Sequence, residues 1–425
     1  MTNRAAHFES RYLLWGVCLA VLAAQGMVTA VNDWSLLRES RLVYRISPQP
    51  FYPFLPVPVE KGAPPALGAD FSQVYGSASA IRFHDHPYAP EDPQFADRLG
   101  RRPNYPPFTN HLYVPLTLLP YRDALILHTV AGLAILLALT VVVLGRFALW
   151  RQALGVAVAI LLLVFQTPVG FSHLERGQFD LFVATAFLLV AGSAYVGPSA
   201  LAYTVLGAIV GALKWTSAPV LLGLALAGLI AASTQRRRVA YAAVPVILGL
   251  SALAFASELS DYWPSLAQYE LNAVPTGMSL ELLLPGSIAK LVPIVCTLLF
   301  VAYFWRRTRR IWDRELAWQA VAVPFGLALA LQSQCMFKIA YEYRTVALLG
   351  FLPVTVLWME RATVVPRGLR LLVGALLGVF LVVAFRVFDF RGGLLSSRQM
   401  LHIFGAWSFA FLGVASYTLW NAPET

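Results

Sequence analysis

The chain has 425 residues, 58% hydrophobic and only 13% charged, with a mean hydropathy of +0.65. Soluble globular domains carry about 25% charge, so the composition excludes an ordinary soluble protein. The formal net charge of +10 does not point to nucleic acid, because the basic residues cluster at the ends of apolar runs, where they orient helices in a membrane.

Arg4 and Arg11 precede the apolar run Tyr12 to Val31. Val28-Thr29-Ala30 resembles a cleavage site, but the run exceeds the roughly 7–15 apolar residues of a signal-peptide core, which favours an uncleaved first transmembrane helix over residues 12–31. Residues 32–111 then form a long hydrophilic loop with proline-rich patches that read as extended surface. Further apolar runs follow at 125–146, 152–171, 179–197, 199–216, 217–234, 239–257, 287–305, 315–335, 345–360, 369–388 and 401–420. With the first run they make about 12 spans of roughly 20 apolar residues each. Phe108 to Leu119 reads as interfacial or re-entrant. The runs lack the period-two alternation of a barrel, and in lipid the backbone must pair within the segment. The expected fold is therefore an all-α polytopic membrane protein, one integral-membrane domain over 1–425, with residues 112–425 as the helical bundle.

A cytoplasmic amino terminus puts 15 of the 32 basic residues into short cytoplasmic segments, among them Arg146, Arg151, Arg236 to Arg238 and Arg306 to Arg314. Short loops are where the positive-inside bias applies. In that arrangement both termini are cytoplasmic, and the loop 32–111, Glu175, Lys214, 258–286 and 336–344 share the extracytoplasmic face of a plasma membrane. Cys18, Cys296 and Cys335 sit singly inside apolar runs, which argues against a disulfide framework and for small hydrophobes.

Most chemistry-bearing side chains lie in one polar stretch, residues 68–111, which contains Asp70, Tyr75, His84, Asp85, His86, Tyr88, Glu91, Asp92, Tyr105 and Asn110. Ionisable groups at the ends of spans are functional candidates by default, and three clusters share the expected outer face. They are His173 to Asp180, Lys214-Trp215, and Lys338 to Arg344. Asp70 opens a helix-like stretch and suits a helix cap; in a partly dry site a carboxylate can also take a proton from an attacking hydroxyl. Lys214 at a helix end can snorkel to headgroups or hold a phosphate as a compact point charge. His84-Asp85-His86 offers metal-binding groups, but Pro87 makes the segment a turn. Nucleotide-loop, nucleophile-elbow and zinc-helix signatures are all missing.

Several short motifs stand in order along the chain: Asp70-Phe71 with Tyr75 and Ala78, His86-Pro87-Tyr88, Tyr105 to Phe108 leading to Pro115, Gly177-Gln178-x-Asp180, and Lys214 followed by Pro219. In that order they resemble the multi-spanning glycosyltransferases of the C-type superfamily, in particular the polyprenol-phosphate-mannose-dependent α-mannosyltransferases, glycosyltransferase family 87. The resemblance covers about residues 65–220 in motif and the rest in hydropathy. It implies an inverting enzyme of the GT-C-like bundle fold, moving a hexose, mannose by family default, from a polyprenyl-phosphate sugar donor to a lipid or glycan acceptor. Asp70 would be the general base. Arg176, Gln178, Lys214 and Arg344 would meet the donor phosphate and sugar. Tyr75, His86, Tyr88, Tyr105, Asn110, His173, Glu175, Asp180 and Glu342 would line the cavity or the acceptor side. No cofactor is expected; a divalent metal is allowed by the superfamily but not predicted. Where the family often carries a paired-histidine signature before a late span, residues 334–344 contain no histidine and end on Arg344, whose guanidinium can grip phosphate oxygens in a bidentate fork.

The competing class is a multi-spanning transporter or lipid flippase without transferase activity, which calls for broken helices and midplane charges in both halves. A scaffold with a degenerate site is a third. Convergence of Asp70, Lys214 and Arg344 on one cavity favours the transferase; dispersal favours the others.

Overall fold

A computed structural model describes residues 16–23, 68–95, 103–272, 276–277, 279–310, 313–337, 339–340, 342–387 and 397–422. Of the expected first span, only the helical residues 16–23 (α1) fall inside that set, and the proline-rich segment before residue 68 lies outside it.

The described chain is almost wholly helical. Two short helices come first, α2 (Phe71–Arg82) and α3 (Pro107–Tyr113), the latter running on into a 3-10 turn at Val114–Leu118. Then follow α4 (Tyr121–Gly145), α5 (Trp150–Phe165), α6 (Pro168–Arg176), α7 (Asp180–Gly192), α8 (Ala200–Gly211), α9 (Ala218–Ala231), α10 (Gln235–Leu253) and α11 (Ala256–Asn272). The carboxy half contains α12 (Gly286–Thr308), α13 (Arg314–Cys335), a 3-10 segment Glu342–Gly350, α14 (Phe351–Arg361), α15 (Arg367–Ala384) and α16 (Ser397–Trp420). Thr276–Gly277 and Ile339–Ala340 pair as a two-residue parallel bridge.

The apolar runs after the first fall on helical segments, with 152–171 broken between α5 and α6 and 345–360 divided between the 3-10 segment and α14, so the all-α membrane class holds. The runs are not all full crossings, however. Five described helices are long and apolar enough to cross a membrane: α4, α12, α13, α15 and α16. A sixth crossing arises if α10 and α11, bent by 87° at their junction, count as one. The other apolar helices are short. α7 has 13 residues, which at 1.5 Å per residue is about 20 Å against a hydrocarbon core of about 30 Å. Hydropathy alone does not separate a lipid-facing span from a short helix buried in protein, and α7 is buried along its whole length.

α7 is the axis of the bundle. It packs on α4, α8, α14 and the 3-10 segment Glu342–Gly350, while α13 packs on α9 and α16. Two large indoles inside this core are paired: the Trp358 indole donates to the Ala320 carbonyl at 2.8 Å and the Trp318 indole to the Tyr241 hydroxyl at 2.9 Å. Large apolar side chains such as Leu127, Val142, Leu291, Leu299 and Phe409 are exposed on the periphery, as a surface solvated by lipid requires.

The closest approach at the axis is at Gly350, where an added Cβ would press into the carbonyl of Ala184 on α7. Gly350→Ala should therefore destabilise the protein by about 1–3 kcal/mol, the usual cost of overpacking, and lower its thermal midpoint in nanodiscs. Gly413→Ala, with open space around the new methyl, should leave the midpoint unchanged or raise it.

Candidate functional site

The site begins where the 68–70 turn meets the end of α6. Asp70 stands at the N-cap position of α2, yet its side chain makes no capping bond. Instead the carboxylate reaches across to Arg176, whose Nε donates to Oδ2 at 2.6 Å and whose Nη2 donates to Oδ1 at 3.2 Å. The Gln178 amide donates to the same Oδ2. Backbone contact reinforces the join, with the Asp70 N–H donating to the Arg176 carbonyl at 2.9 Å. Gly177 makes this geometry possible. It ends α6 in the left-handed region at φ 63°, where a side chain is strained, and a Cβ there would lie 2.7 Å from that of Phe71.

Gln178 links this clasp to a second buried pair. Lys214 Nζ donates to Gln178 Oε1 at 3.0 Å and to the two Asp180 carboxylate oxygens at 3.1 and 2.9 Å. Lys214 is 8% exposed, so it does not snorkel to headgroups. Asp180 opens α7, where a carboxylate complements the positive helix end, and the buried His173 ring nitrogen Nδ1 stands 3.9 Å from it. His128 braces the same corner between the Tyr113 hydroxyl at 2.7 Å and the Gln178 carbonyl at 3.3 Å.

Asp70, Gln178, Lys214 and Arg344 all line one cavity of about 260 Å³. That is smaller than the roughly 300–1,000 Å³ of a drug-sized pocket, a size for a small polar head group rather than for a whole lipid. Arg344 stacks over Phe337 at 5.4 Å. Its Nε and Nη1 are buried without a hydrogen-bond partner among the described residues. The arrangement thus holds two neutralised ion pairs and a further cation facing the same space.

Most of the remaining lining is aromatic, with Tyr105, Trp215, Tyr262, Trp263 and Phe337 beside Asn104, Pro106, Thr216 and Leu266. Tyr262 and Trp263 come from α11, a helix that the loop reading of 258–286 missed. Its signal was present as Leu259, Tyr262, Trp263 and Leu266 at spacings of three and four. Three bonds hold α11 against the polar stretch: His86 Nε2 with Asp261 at 3.1 Å, His111 with Glu258, and the Ser265 hydroxyl donating to the Pro103 carbonyl at 2.7 Å.

The sequence-predicted residues divide accordingly. Tyr105 lines the cavity, and Asn110 and Tyr88 stand behind it: the Asn110 amide donates to the Tyr88 hydroxyl at 3.1 Å, which donates to the Tyr105 carbonyl at 3.1 Å. Tyr75 lies apart, its hydroxyl donating to the Leu119 carbonyl at 2.8 Å and its ring against Tyr121. His86 sits in an exposed turn organised by Asp85, whose carboxylate accepts the backbone N–H groups of Asp92, Glu91 and His86 and is held below the usual carboxylate range by them. Among the described residues no group of three or more His, Cys, Asp or Glu side chains is placed to hold a metal. The side chains of Glu175, Lys338, Tyr341 and Glu342 lie outside the described set.

Residues 104–280 match the family model of glycosyltransferase family 87. Fold and match together define the class, a multi-pass membrane glycosyltransferase. The matched segment supplies Tyr105, Gln178, Lys214, Trp215, Tyr262 and Trp263, while Asp70 and Arg344 reach the cavity from either side of it. No curated protein and no solved structure matches the chain.

The buried pair predicts its own energetics. Lys214→Met strands the Asp180 charge and should cost about 3–5 kcal/mol in equilibrium unfolding in mixed micelles. The double variant Lys214→Met with Asp180→Leu should recover most of that loss, since no lone charge remains.

Proposed function

We propose that the protein transfers a hexose, mannose as the first candidate, from a polyprenyl-phosphate sugar to a lipid or glycan acceptor at the outer face of the plasma membrane, with inversion at the anomeric carbon. The observation that carries this reading is the meeting of Asp70, Lys214 and Arg344 on one cavity. These residues are separated widely in sequence, and a transporter would have no need to gather them at one end of the bundle.

Each group has a part in a balanced step. The acceptor oxygen attacks the anomeric carbon from the face opposite the phosphate, and Asp70 takes the hydroxyl proton as the new bond forms. The bond from the anomeric carbon to phosphate oxygen breaks with its electron pair going to the phosphate, which turns from a diester into a monoester and gains negative charge. Cations that meet charge as it develops stabilise the transition state more than the bound donor. Arg344 has donors with no partner among the described residues for that task, and Lys214 lines the same cavity. The amino-terminal ends of α7 and α9, which start at Asp180 and Ala218, add their positive dipole ends on the same side. Arg176 and Gln178 hold Asp70 in position. No metal is required by this step.

The test is sugar transfer by the purified protein from radiolabelled polyprenyl-phosphate mannose to membrane lipids of the source cell, with and without a chelator. Asp70→Asn should lower turnover by about 10²–10⁴-fold, the range for loss of a general base, with donor binding retained. Arg344→Met should weaken donor binding as well. Equal transfer by wild type and Asp70→Asn would remove the base assignment, and loss of both donor binding and transfer in the wild type would remove the donor class.

A further inference from the structure

The donor and base assignments leave the aromatic wall of the cavity without a task. Trp215, Tyr262 and Trp263 touch one another: Trp215 meets Tyr262 edge-on with centroids 5.4 Å apart and Trp263 at 6.0 Å, and Tyr262 meets Trp263 at 5.1 Å. All three line the cavity. Trp263 is 51% exposed, so protein leaves part of its ring uncovered. The Trp215 indole N–H is buried with no hydrogen-bond partner among the described residues, whereas a buried indole normally finds one.

A pyranose ring supplies what this combination lacks. One of its faces is a patch of C–H groups, polarised by the attached oxygens, that stacks on the negative face of an aromatic ring. Its rim carries hydroxyls that accept from an indole N–H. A phosphate uses neither feature, and a prenyl chain uses only the apolar surface.

We propose that Trp215, Tyr262 and Trp263 form a stacking subsite for the pyranose ring of a glycoside, with the Trp215 N–H donating to one of its hydroxyls. The proposal rests on the transferase reading only for which substrate brings the ring, the donor's hexose or a glycan acceptor; binding does not depend on the chemistry. Because α11 is held to the polar stretch through His86, His111 and Pro103, the subsite is fixed relative to Asp70.

The experiment uses full-length protein in nanodiscs free of sugar-headed detergent. It reads saturation-transfer NMR from methyl α-D-mannopyranoside, methyl α-D-glucopyranoside and methyl α-D-galactopyranoside. Signal should concentrate on the ring protons of one pyranose face for at least one glycoside. It should fall about fivefold in Trp263→Leu, the scale of losing one stacked ring, and return in Trp263→Phe, since phenylalanine restores a ring and leucine only apolar bulk. Equal signals from wild type and Trp263→Leu would overturn the subsite and leave Trp263 as a membrane-interface anchor. Absence of signal for all three glycosides would overturn it too. Trp263-dependent glycoside binding in a protein that transfers no sugar keeps the subsite and removes the transferase reading. Where transfer does occur, Trp263→Leu should raise KM by the same factor of about five, with kcat preserved, for whichever substrate carries the ring; unchanged KM for both substrates would count against the subsite.

Discussion

The clasp between Asp70 and Arg176 is the contact on which the polar centre depends. It ties the start of α2 to the end of α6, 106 residues further along the chain, and through Gln178 it passes directly to Lys214 and Asp180. Two anions and two cations are thereby neutralised within one hydrogen-bonded network. A network with every charge matched can persist in a low-dielectric interior, and the same network with one member missing is costly. Arg344 is outside this balance: its Nε and Nη1 have no hydrogen-bond partner among the described residues, although it lines the same cavity.

The short helices explain why there is a cavity at all. α7, α8 and α9 have 13, 12 and 14 residues, each below the roughly 20 needed to span a bilayer. Turns of backbone that longer helices would have placed there are absent, and Asp180, Lys214 and Trp215 occupy the ends. α11, turned by 87° from α10, closes over the gap and brings aromatic rings with it. A recess walled by other helices also lets irregular backbone at Gly177 and Lys214 exist beside lipid, because protein rather than hydrocarbon surrounds it.

Much of this was legible in the residues. Long apolar runs gave the helices because lipid leaves a backbone little alternative, and the order of Gly177, Gln178, Asp180 and Lys214 marked the polar corner that the fold assembles. The helix-cap reading of Asp70 was right about its position and incomplete about its side chain, since a cap and a cross-chain ion pair begin with the same residue type. Helix length was less readable, because hydropathy records how apolar a segment is and not whether lipid or protein covers it. α11 was hidden for a related reason: its polar residues Glu258 and Asp261 look like loop, and their histidine partners lie 147 and 175 residues away. Arg344 could be nominated from sequence as a cation, but its unpartnered donors are a property of the packing.

The separations within the network also order its assembly during synthesis. Asp180 and Lys214 are 34 residues apart, so at roughly 5–20 residues per second the second follows the first within a few seconds. An unpaired charge opposes membrane insertion, less at a helix end, where Asp180 and Lys214 lie, than at a helix centre. The hairpin of α7 and α8 can enter with its two charges already cancelling, so neither has to cross unaccompanied. Arg344 has no such companion among the described residues and emerges roughly 15–55 s after Asp70 at the same rate. Every other residue that lines the cavity therefore precedes Arg344 in synthesis, while α14, α15 and α16, which complete the bundle around it, follow.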